Sequence, residues 1–346
     1  MERDIDWDAM TFSLTQTDWM YMSTCELGGT WGQGDMIPYG KFEIDPAAGV
    51  LNYGQGIFEG MKAHRTVQDR IVIFRASENA ARFQSGALRL GMPPVPESIF
   101  LHAVEQTVSC NGIWIPPSGK GALYIRPLLL GTGPIMGVAP APEYTFLVYV
   151  SPVGPYFKGG LSCIDLIISD EYHRAAPGGS GGVKAIGNYA PGMMPSKDAK
   201  KAGFAEIIYL DAAHHNYIEE VGAANFFCVK DRKLYTPELT GTILPGITRD
   251  SIIQLARYRG YEVTEERVSV EFAMQADEAF CCGTAAVISP IGSIAHGDRK
   301  KIYLEGGVGP ITRELYNALV GIQTELAKDP FGWLHEVELE PSLASQ

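Results

Sequence analysis

Lys184 stands in a segment whose residue types could support covalent chemistry. It lies in one of the most glycine-dense stretches of the chain, Gly178-Gly179-Ser180-Gly181-Gly182-Val183-Lys184-Ala185-Ile186-Gly187-Asn188-Tyr189, with no acidic residue nearby in sequence. Small neighbours let a planar ligand approach the backbone, and a desolvated lysine of lowered pKa is the usual Schiff-base nucleophile. The same composition is also typical of a surface loop with a solvated lysine. The segment alone leaves both interpretations open.

Two turns and one arginine could hold a phosphate group. The turn at Leu244-Pro245-Gly246 opens a helix that we expect Thr248 to cap, and a second turn, Cys282-Gly283-Thr284-Ala285-Ala286, follows a strand-like run. Backbone N–H groups at such turns are available to an anion, although each turn is also typical of an ordinary loop. Arg82 lies on a helix that Ser77 can cap. Combined with a nucleophilic lysine, a phosphate site indicates pyridoxal phosphate, which carries a phosphate and an aldehyde.

A carboxylate is needed to keep the pyridine nitrogen of such a cofactor protonated. Glu219 and Glu220 precede the small-residue run Val221-Gly222-Ala223-Ala224-Asn225. Because adjacent strand residues face opposite sides, we expect one of them to point inward and the other toward solvent. The alternative, two solvated carboxylates, remains open at this point.

Other catalytic motifs are absent from the sequence. Val183, rather than glycine, precedes Lys184, and the Gly119-Lys120 pair lacks the flanking residues of a phosphate-binding loop. The sequence contains no dinucleotide fingerprint between a strand and a helix and no serine-hydrolase elbow. The six cysteines show no metal-ligand spacing, so we expect reduced thiols and no metal.

Composition limits the class of protein. The chain has 346 residues, 46% of them hydrophobic and 20% charged, which is enough for a large core and two domains. Its net charge of -12 disfavours nucleic acid and anionic membrane surfaces as partners. The first residues, Met1-Glu2-Arg3-Asp4-Ile5-Asp6, resemble neither a signal peptide nor a transit peptide. We therefore expect a cytoplasmic protein, or a plastid or mitochondrial one if a transit peptide is missing from this chain.

The order of predicted elements favours a mixed α/β protein. A buried-strand pattern from Glu143 to Val150 ends at a turn rich in proline and glycine. We place a small domain at 1–155, a linker at 156–170 and a large domain at 171–346. Short strands at 164–169, 206–210 and 225–229 are separated by turns, which argues against a doubly wound parallel sheet.

The motifs, taken in order, resemble those of the branched-chain amino acid aminotransferases, pyridoxal-phosphate enzymes of fold type IV. The resemblance covers nearly the whole chain and is carried by Asn52-Tyr53-Gly54, Phe58-Glu59-Gly60-Met61-Lys62-Ala63, Tyr124-Ile125-Arg126-Pro127, the Lys184 to Tyr189 motif, Glu220-Val221-Gly222, Leu244-Pro245-Gly246-Ile247-Thr248-Arg249 and Gly283-Thr284-Ala285. The segments Tyr172-His173-Arg174-Ala175 and Thr242-Ile243-Leu244-Pro245 look most similar to plant and some bacterial members.

This resemblance implies an α/β (α+β) fold of two domains, with a smaller N-terminal domain, a larger C-terminal domain that has a barrel-like β core, and the cofactor between them. It implies a homodimer that uses pyridoxal 5'-phosphate. The implied activity is ping-pong transfer of the amino group of L-leucine, L-isoleucine or L-valine to 2-oxoglutarate, which yields branched 2-oxo acids and L-glutamate.

Roles toward the cofactor follow from the same resemblance. Lys184 would form the Schiff base and, once released by the substrate amine, act as the general base at Cα. Glu220 would pair with the pyridine nitrogen and Tyr189 with the phenolic oxygen. The remaining cofactor-binding residues would hold the phosphate: Arg82, Ile247, Thr248 and Thr284.

Substrate recognition is implied in the same way. Tyr53, Arg126 and the backbone of Thr284 and Ala285 would receive carboxylates. An apolar side-chain pocket would have as its walls Phe12, Phe58 and Tyr124. The loop Met136-Gly137-Val138 would reach into the site of the partner subunit.

Three other functions share parts of this pattern. A D-amino acid aminotransferase or an aminodeoxychorismate lyase would also have Lys184 and Glu220, but Tyr124-Ile125-Arg126 and Gly283-Thr284-Ala285 favour the branched-chain enzyme. A non-catalytic relative that binds the cofactor is the third alternative. The order of preference among leucine, isoleucine, valine and methionine stays open, because one methylene changes discrimination by only about 1–3 kcal/mol.

Overall fold

A computed structural model describes residues 5–157 and 159–339. These residues form two compact units. The first comprises the described residues up to Tyr156, the short segment Val183–Ile186 and those from Gly321 onward. The second comprises Phe157–Gly182, apart from residue 158, and Gly187–Val320. Lys184 therefore belongs to the first unit. Because the segments of the first unit are interrupted in sequence by parts of the second, two contiguous residue ranges cannot describe this division.

The strands are β1 (Trp19–Glu26), β2 (Asp35–Pro38), β3 (Gly56–Phe58), β4 (Met61–Arg65), β5 (Ile71–Phe74), β6 (Ala122–Gly131), β7 (Glu143–Val153), β8 (Ile164–Ser169), β9 (Glu206–Leu210), β10 (Tyr217–Val221), β11 (Ala224–Lys230), β12 (Lys233–Thr236), β13 (Val263–Glu265), β14 (Val268–Ser269), β15 (Glu278–Gly283), β16 (Val287–His296), β17 (Arg299–Ile302) and β18 (Leu334–Glu336). The helices are α1 (Gly49–Tyr53), α2 (Ala76–Arg89), α3 (Glu97–Cys110), α4 (Met193–Lys201), α5 (Ile247–Tyr258), α6 (Val270–Met274) and α7 (Pro310–Gln323). The predicted strands at 143–150, 164–169, 206–210 and 225–229 are confirmed as β7, β8, β9 and β11.

The first unit is built on an eight-stranded sheet. Its strand order is β18-β5-β4-β6-β7-β1-β2, with β3 paired to β6. Strand β6 alternates strictly, so that Leu123 and Ile125 lie in the core with helices α2 and α3, while Tyr124 and Arg126 face the other side. The two-residue period thus puts both predicted substrate-binding side chains of β6 on one face.

The second unit contains a closed ring of strands. The order β11-β15-β16-β8-β9-β10 returns to its start because β10 also pairs with β11. Most of these pairs are antiparallel, but β8 runs parallel to both β9 and β16. Buried apolar side chains such as Leu166, Ile208 and Phe226 belong to its core. This ring confirms the predicted fold class with a barrel-like β core.

Two predicted helix caps are wrong. Helix α2 begins at Ala76 after Arg75, which adopts a left-handed conformation with φ 52°, so Ser77 lies inside the first turn. Helix α5 begins at Ile247 after an extended Gly246, so Thr248 lies one residue inside the helix. In both cases the predicted cap is a hydroxyl residue that lies one or two positions inside the helix, which is a common error in placing a helix boundary.

Within the described ranges, none of the helices is both long and apolar enough to cross a membrane. The same residues include no group of three or more His, Cys, Asp or Glu side chains arranged to hold a metal ion.

Candidate functional site

Lys184 is held against the first unit by backbone pairing. The Phe58 N–H donates to the Lys184 carbonyl at 3.1 Å, and Ile57 forms a β-bridge with Ala185. The Lys184 Nζ lies 4.6 Å from the centroid of the Phe58 ring, a distance at which the ring face attracts a cation. The lysine therefore occupies a segment fixed to the end of β3 rather than a freely solvated loop.

The predicted substrate residues of the first unit lie in one connected cluster. The Arg126 guanidinium carbon is 4.7 Å from the Phe58 ring and 5.2 Å from the Tyr124 ring, and Arg126 Nη2 donates to Tyr124 Oη at 3.1 Å. Phe12 packs edge-on against Tyr124 at 5.1 Å. Among the described residues, the buried Nε of Arg126 has no hydrogen-bond partner. An arginine beside aromatic ring faces is suited to a carboxylate on an apolar molecule.

Tyr53 lies at the end of α1, where Gly54 turns the chain with φ 65°. Its hydroxyl donates to the carbonyl of Met136. The side chains of Met136 and Val138 are 89% and 88% exposed. This hydrogen bond ties a predicted substrate residue to the loop that was expected to reach a partner subunit.

Arg82 projects from α2 onto a buried carboxylate, Glu59. Its Nε and Nη2 atoms donate to the two Glu59 oxygens, each at 2.7 Å. Burial opposes ionisation of Glu59, but the charge and hydrogen bonds of Arg82, with smaller contributions from Lys184 and Asn79, hold the pKa of this carboxyl below its usual value. Glu59 is therefore an anion that forms a bidentate ion pair with the arginine predicted to bind phosphate.

Glu220 is the corresponding carboxylate of the second unit. It is 2% exposed, and Arg174 Nε lies 2.6 Å from its Oε2. Arg174 also donates to the carbonyls of Gly181 at 3.1 Å and Thr242 at 2.8 Å, and Asn225 Nδ2 donates to Glu220 Oε1 at 3.1 Å. A carboxylate with these partners is stabilised in its charged form, as a protonated pyridine nitrogen requires.

The prediction that one of the adjacent glutamates faces solvent is wrong. Glu219 is only 6% exposed and accepts a hydrogen bond from the Thr242 hydroxyl at 2.5 Å. Burial raises its pKa above the usual value. Both faces of β10 are covered, so strand alternation separates the two side chains without exposing either of them.

Asn225 connects Glu220 to the turn that leads into α5. Its Nδ2 also donates to the Leu244 carbonyl at 3.0 Å, and a Cβ on Gly246 would lie 1.9 Å from its Oδ1. Helix α5 starts at Ile247 without a side-chain cap, and the next residue, Thr248, is buried. The first N–H groups of a helix have no intrahelical acceptor and favour an anion, which fits a phosphate at this turn.

The other two predicted cofactor contacts of the second unit also lie at chain turns. Thr284 and Ala285 form the connection between β15 and β16, which ends at Val287 with φ 65°. This is a strained conformation for a β-branched residue. Tyr189 precedes a short 3₁₀ turn and lines a cavity of about 260 Å³ that Arg174 also lines.

Three residues of these networks were not predicted as site residues. Glu59 lies in the motif Phe58-Glu59-Gly60-Met61-Lys62-Ala63, and this position is the only feature of the sequence that indicates a role for it. Arg174 and Asn225 lie in segments named above, but their roles were not predicted because Arg174 pairs with Glu220 and Asn225 with Leu244, in other segments of the chain. Within each unit, however, predicted residues lie close together. In the first unit these residues are Lys184, Phe58, Tyr124, Arg126 and Phe12. In the second unit, Asn225 links Glu220 to the turn before Ile247 and Thr248.

Comparisons with known proteins identify the family of this chain. The model of the family "Amino-transferase class IV" matches residues 56–294. A chloroplastic branched-chain-amino-acid aminotransferase of Arabidopsis thaliana is 52% identical over 330 residues, which are 95% of this chain and 80% of that protein.

Two solved structures are similar over nearly the full length. The branched-chain amino acid aminotransferase from Escherichia coli has a TM-score of 0.79 and 30% identity, and covers 93% of this chain and 100% of its own. The branched-chain amino acid aminotransferase from Thermobaculum terrenum in its PLP-form has a TM-score of 0.79 and 25% identity, and covers 94% and 99%.

The chain belongs to the class IV aminotransferases. It is a pyridoxal-phosphate-dependent transaminase of fold type IV.

Proposed function

We propose that this transaminase moves the amino group of L-leucine, L-isoleucine or L-valine to 2-oxoglutarate, with L-glutamate as the second product. The observation that supports this most directly is the cluster of Phe58, Tyr124 and Arg126, which places a guanidinium beside two aromatic ring faces. The similarity to branched-chain enzymes over 95% of the chain supports the same substrates.

The residues present suit the cofactor, and we assign them as follows. Lys184 provides the amine for the aldehyde, Glu220 pairs with the pyridine nitrogen, and Tyr189 donates to the phenolic oxygen. Arg82, Ile247, Thr248 and Thr284 hold the phosphate. When bound, pyridoxal phosphate supplies an aldehyde that carries the amino group and a ring that withdraws electrons from the substrate Cα.

Lys184 moves the proton in this mechanism. With the cofactor bound, the Lys184 amine would accept the proton from the substrate Cα and would later return it. The Phe58 ring, 4.6 Å from Nζ, limits the positions that the amine can take and keeps water from that side. Arg174 keeps Glu220 charged throughout, because their closest atoms are only 2.6 Å apart.

One pocket must accept both an aliphatic chain and the distal carboxylate of glutamate. Arg126 can bind that carboxylate through its guanidinium group. With an aliphatic substrate, the rings of Phe58 and Tyr124 face the guanidinium and partly compensate its charge. Tyr53 and the backbone of Thr284 and Ala285 receive the α-carboxylate, and Phe12 completes the apolar wall beside Tyr124.

A single-turnover experiment tests this function. Purified enzyme saturated with pyridoxal phosphate is mixed with excess L-leucine in the absence of any 2-oxo acid. We expect about one equivalent of 4-methyl-2-oxopentanoate per subunit, and continued turnover with glutamate formation once 2-oxoglutarate is added. L-isoleucine, L-valine and L-methionine are compared in the same assay to obtain their order of kcat/KM.

Two further reactions distinguish the alternatives. Product from D-leucine or D-alanine but not from L-leucine would replace this proposal with a D-amino acid aminotransferase, and pyruvate release from aminodeoxychorismate alone would indicate the lyase. The variant Lys184→Ala is expected to lose turnover by several orders of magnitude, whereas Lys197→Ala, in α4, is expected to retain it. Wild-type turnover by Lys184→Ala would exclude the role assigned to this lysine.

We also propose that the enzyme is a homodimer in which the loop 136–138 contacts the partner. Met136 and Val138 are largely exposed apolar side chains, and burial at an interface removes such side chains from water. Light scattering coupled to gel filtration is expected to give twice the chain mass of 37.6 kDa. A monomeric mass in active enzyme would refute this proposal.

A further inference from the structure

Glu59 is a fully buried carboxylate that the mechanism above does not use. It stands between β3 and β4 with 0% of its surface exposed, and its N–H donates to the Pro127 carbonyl at 2.9 Å. An ionised carboxylate in the interior is strongly disfavoured unless charged and hydrogen-bonding partners compensate for its lost hydration. The groups that donate hydrogen bonds to Glu59 therefore indicate which role its buried charge has.

These partners donate hydrogen bonds to both oxygens of the carboxylate. Arg82 contributes Nε and Nη2, both at 2.7 Å, in the bidentate arrangement that fits the fork of a guanidinium. Asn79, one helical turn before Arg82 on α2, donates to Oε2 at 2.7 Å, and the Gly60 N–H donates to the same oxygen at 3.2 Å. Both carboxylate oxygens are thus committed within the first unit.

This pairing determines where the arginine points. A guanidinium is planar and rigid, so fixing Nε and Nη2 on a buried anion also fixes the direction of its remaining N–H bonds. The Arg82 side chain is only 11% exposed, which leaves it little freedom to turn away. Without Glu59, a long arginine side chain has many rotamers available and loses that entropy when it binds an anion.

We propose that Glu59 is a positioning residue that holds Arg82 in the orientation in which it binds the cofactor phosphate. This inference rests on the phosphate-binding role proposed above for Arg82. Glu59 does not contact the cofactor itself. Its effect on cofactor affinity is exerted mainly through Arg82 and the phosphate.

The test compares two ligands that differ only in the phosphate. Apoprotein of the wild type, Glu59→Gln and Arg82→Gln is titrated with pyridoxal phosphate and with pyridoxal, and binding is followed by visible absorbance. In Glu59→Gln we expect the Kd for pyridoxal phosphate to rise about 10- to 100-fold, the usual effect of removing a supporting partner. The Kd for pyridoxal, which has no phosphate, is expected to rise by a clearly smaller factor, because Arg82 has no contact with this ligand to lose.

Each outcome separates this inference from the proposed function. If Arg82→Gln keeps wild-type affinity for pyridoxal phosphate, the phosphate role of Arg82 is wrong and the inference fails with it. If Arg82→Gln loses affinity and Glu59→Gln does not, only the inference is overturned. Equal weakening of both ligands by Glu59→Gln would mean a general structural effect, and this result also overturns it.

Two further variants control for folding. Glu278→Gln changes another buried carboxylate, which accepts hydrogen bonds from the backbone and hydroxyl of Thr312 in the second unit. It is expected to lower Tm without changing the ratio of the two Kd values. Asn79→Ala removes one donor to Glu59 and keeps the ion pair, so it allows the test if Glu59→Gln does not fold. It is expected to raise the Kd for pyridoxal phosphate about 3-fold and leave pyridoxal unchanged, and an unchanged ratio overturns the inference.

Discussion

Replacing Gly60 by alanine should disturb the substrate cluster through a single steric contact. A Cβ at this position would lie 2.1 Å from Tyr124 Oη and 3.0 Å from Tyr124 Cζ. Ordinary contact begins near 3.4 Å, so the hydroxyl must move by about 1.3 Å. Such a shift stretches the 3.1 Å hydrogen bond that Arg126 donates to Tyr124 and turns the tyrosine ring away from its place beside the guanidinium.

The size of the effect follows from these changes. Overpacking a buried contact costs about 1–3 kcal/mol, and loss of the hydrogen bond adds about 1 kcal/mol. We expect the Tm of Gly60→Ala to fall by several degrees. Its kcat/KM for L-leucine should fall about 10- to 100-fold, because Tyr124 and Arg126 no longer present the pocket in its ordinary shape.

A double-mutant cycle with Tyr124→Phe isolates the contact. Without the hydroxyl, the nearest ring carbon is 3.0 Å from the new Cβ and needs to shift by only about 0.4 Å. Gly60→Ala should therefore cost much less in the Tyr124→Phe background, with a coupling energy of about 1–2 kcal/mol in the free energy of unfolding and in kcat/KM. Equal losses in the two backgrounds would refute the steric explanation, since they would show that alanine acts through something other than the Tyr124 hydroxyl.

Three other changes have defined outcomes. Burial, with a smaller effect of Lys62, lowers the pKa of His64 to about 3. The folded state therefore binds fewer protons than the unfolded chain below about pH 6.5, and stability should fall by about 2 kcal/mol between pH 6.5 and 4.5. Urea unfolding at several pH values should show a shallower decline for His64→Gln, and an unchanged slope would contradict this. Gly246→Ala puts a Cβ 1.9 Å from Asn225 Oδ1, so the Asn225 side chain must move. The Kd for pyridoxal phosphate should therefore rise about 10-fold in an absorbance titration. Wild-type affinity would show that this movement does not affect cofactor binding. Burial raises the pKa of Cys281 to about 12, and its alkylation in native protein at pH 8, followed by peptide mass spectrometry, should be much slower than in urea; equal rates would argue against this burial.

Local sequence patterns predicted the strands that are determined by their own residues and by the turns beside them. Strand β7 follows its apolar run and ends at the Pro-Gly turn, and β8 and β9 begin and end at the predicted residues. The helix caps were missed because Ser77 and Thr248 have the right side chains at nearly the right places. The backbone conformations of Arg75 and Gly246, which decide where each helix begins, leave no clear trace in composition.

Local sequence patterns could not predict which residues pair when they are far apart in the sequence. The backbone pairing of Phe58 with Lys184 makes 183–186 part of the first unit, and strand β18 returns to pair with β5. Neither contact has a signal in the residues near it. For the same reason the sequence predicted that one of Glu219 and Glu220 would face solvent: the hydroxyl that binds Glu219 in the interior belongs to Thr242, on a different segment.

Each unit contains a buried glutamate held by an arginine and an asparagine. In the first unit Glu59 is bound by Arg82 and Asn79. In the second, Glu220 has Arg174 and Asn225 as partners.

Buried ion pairs of this kind contribute little net stability, because desolvation offsets most of their attraction. A chain under selection for stability alone would do as well with apolar side chains at these positions. A transaminase must instead hold a negative charge at the pyridine nitrogen and a positive one at the phosphate before the cofactor binds, and each requires a counter-ion that fixes its direction. The two networks suit the cofactor-binding roles that we propose for Glu220 and Arg82, and each carboxylate has its partners within its own unit.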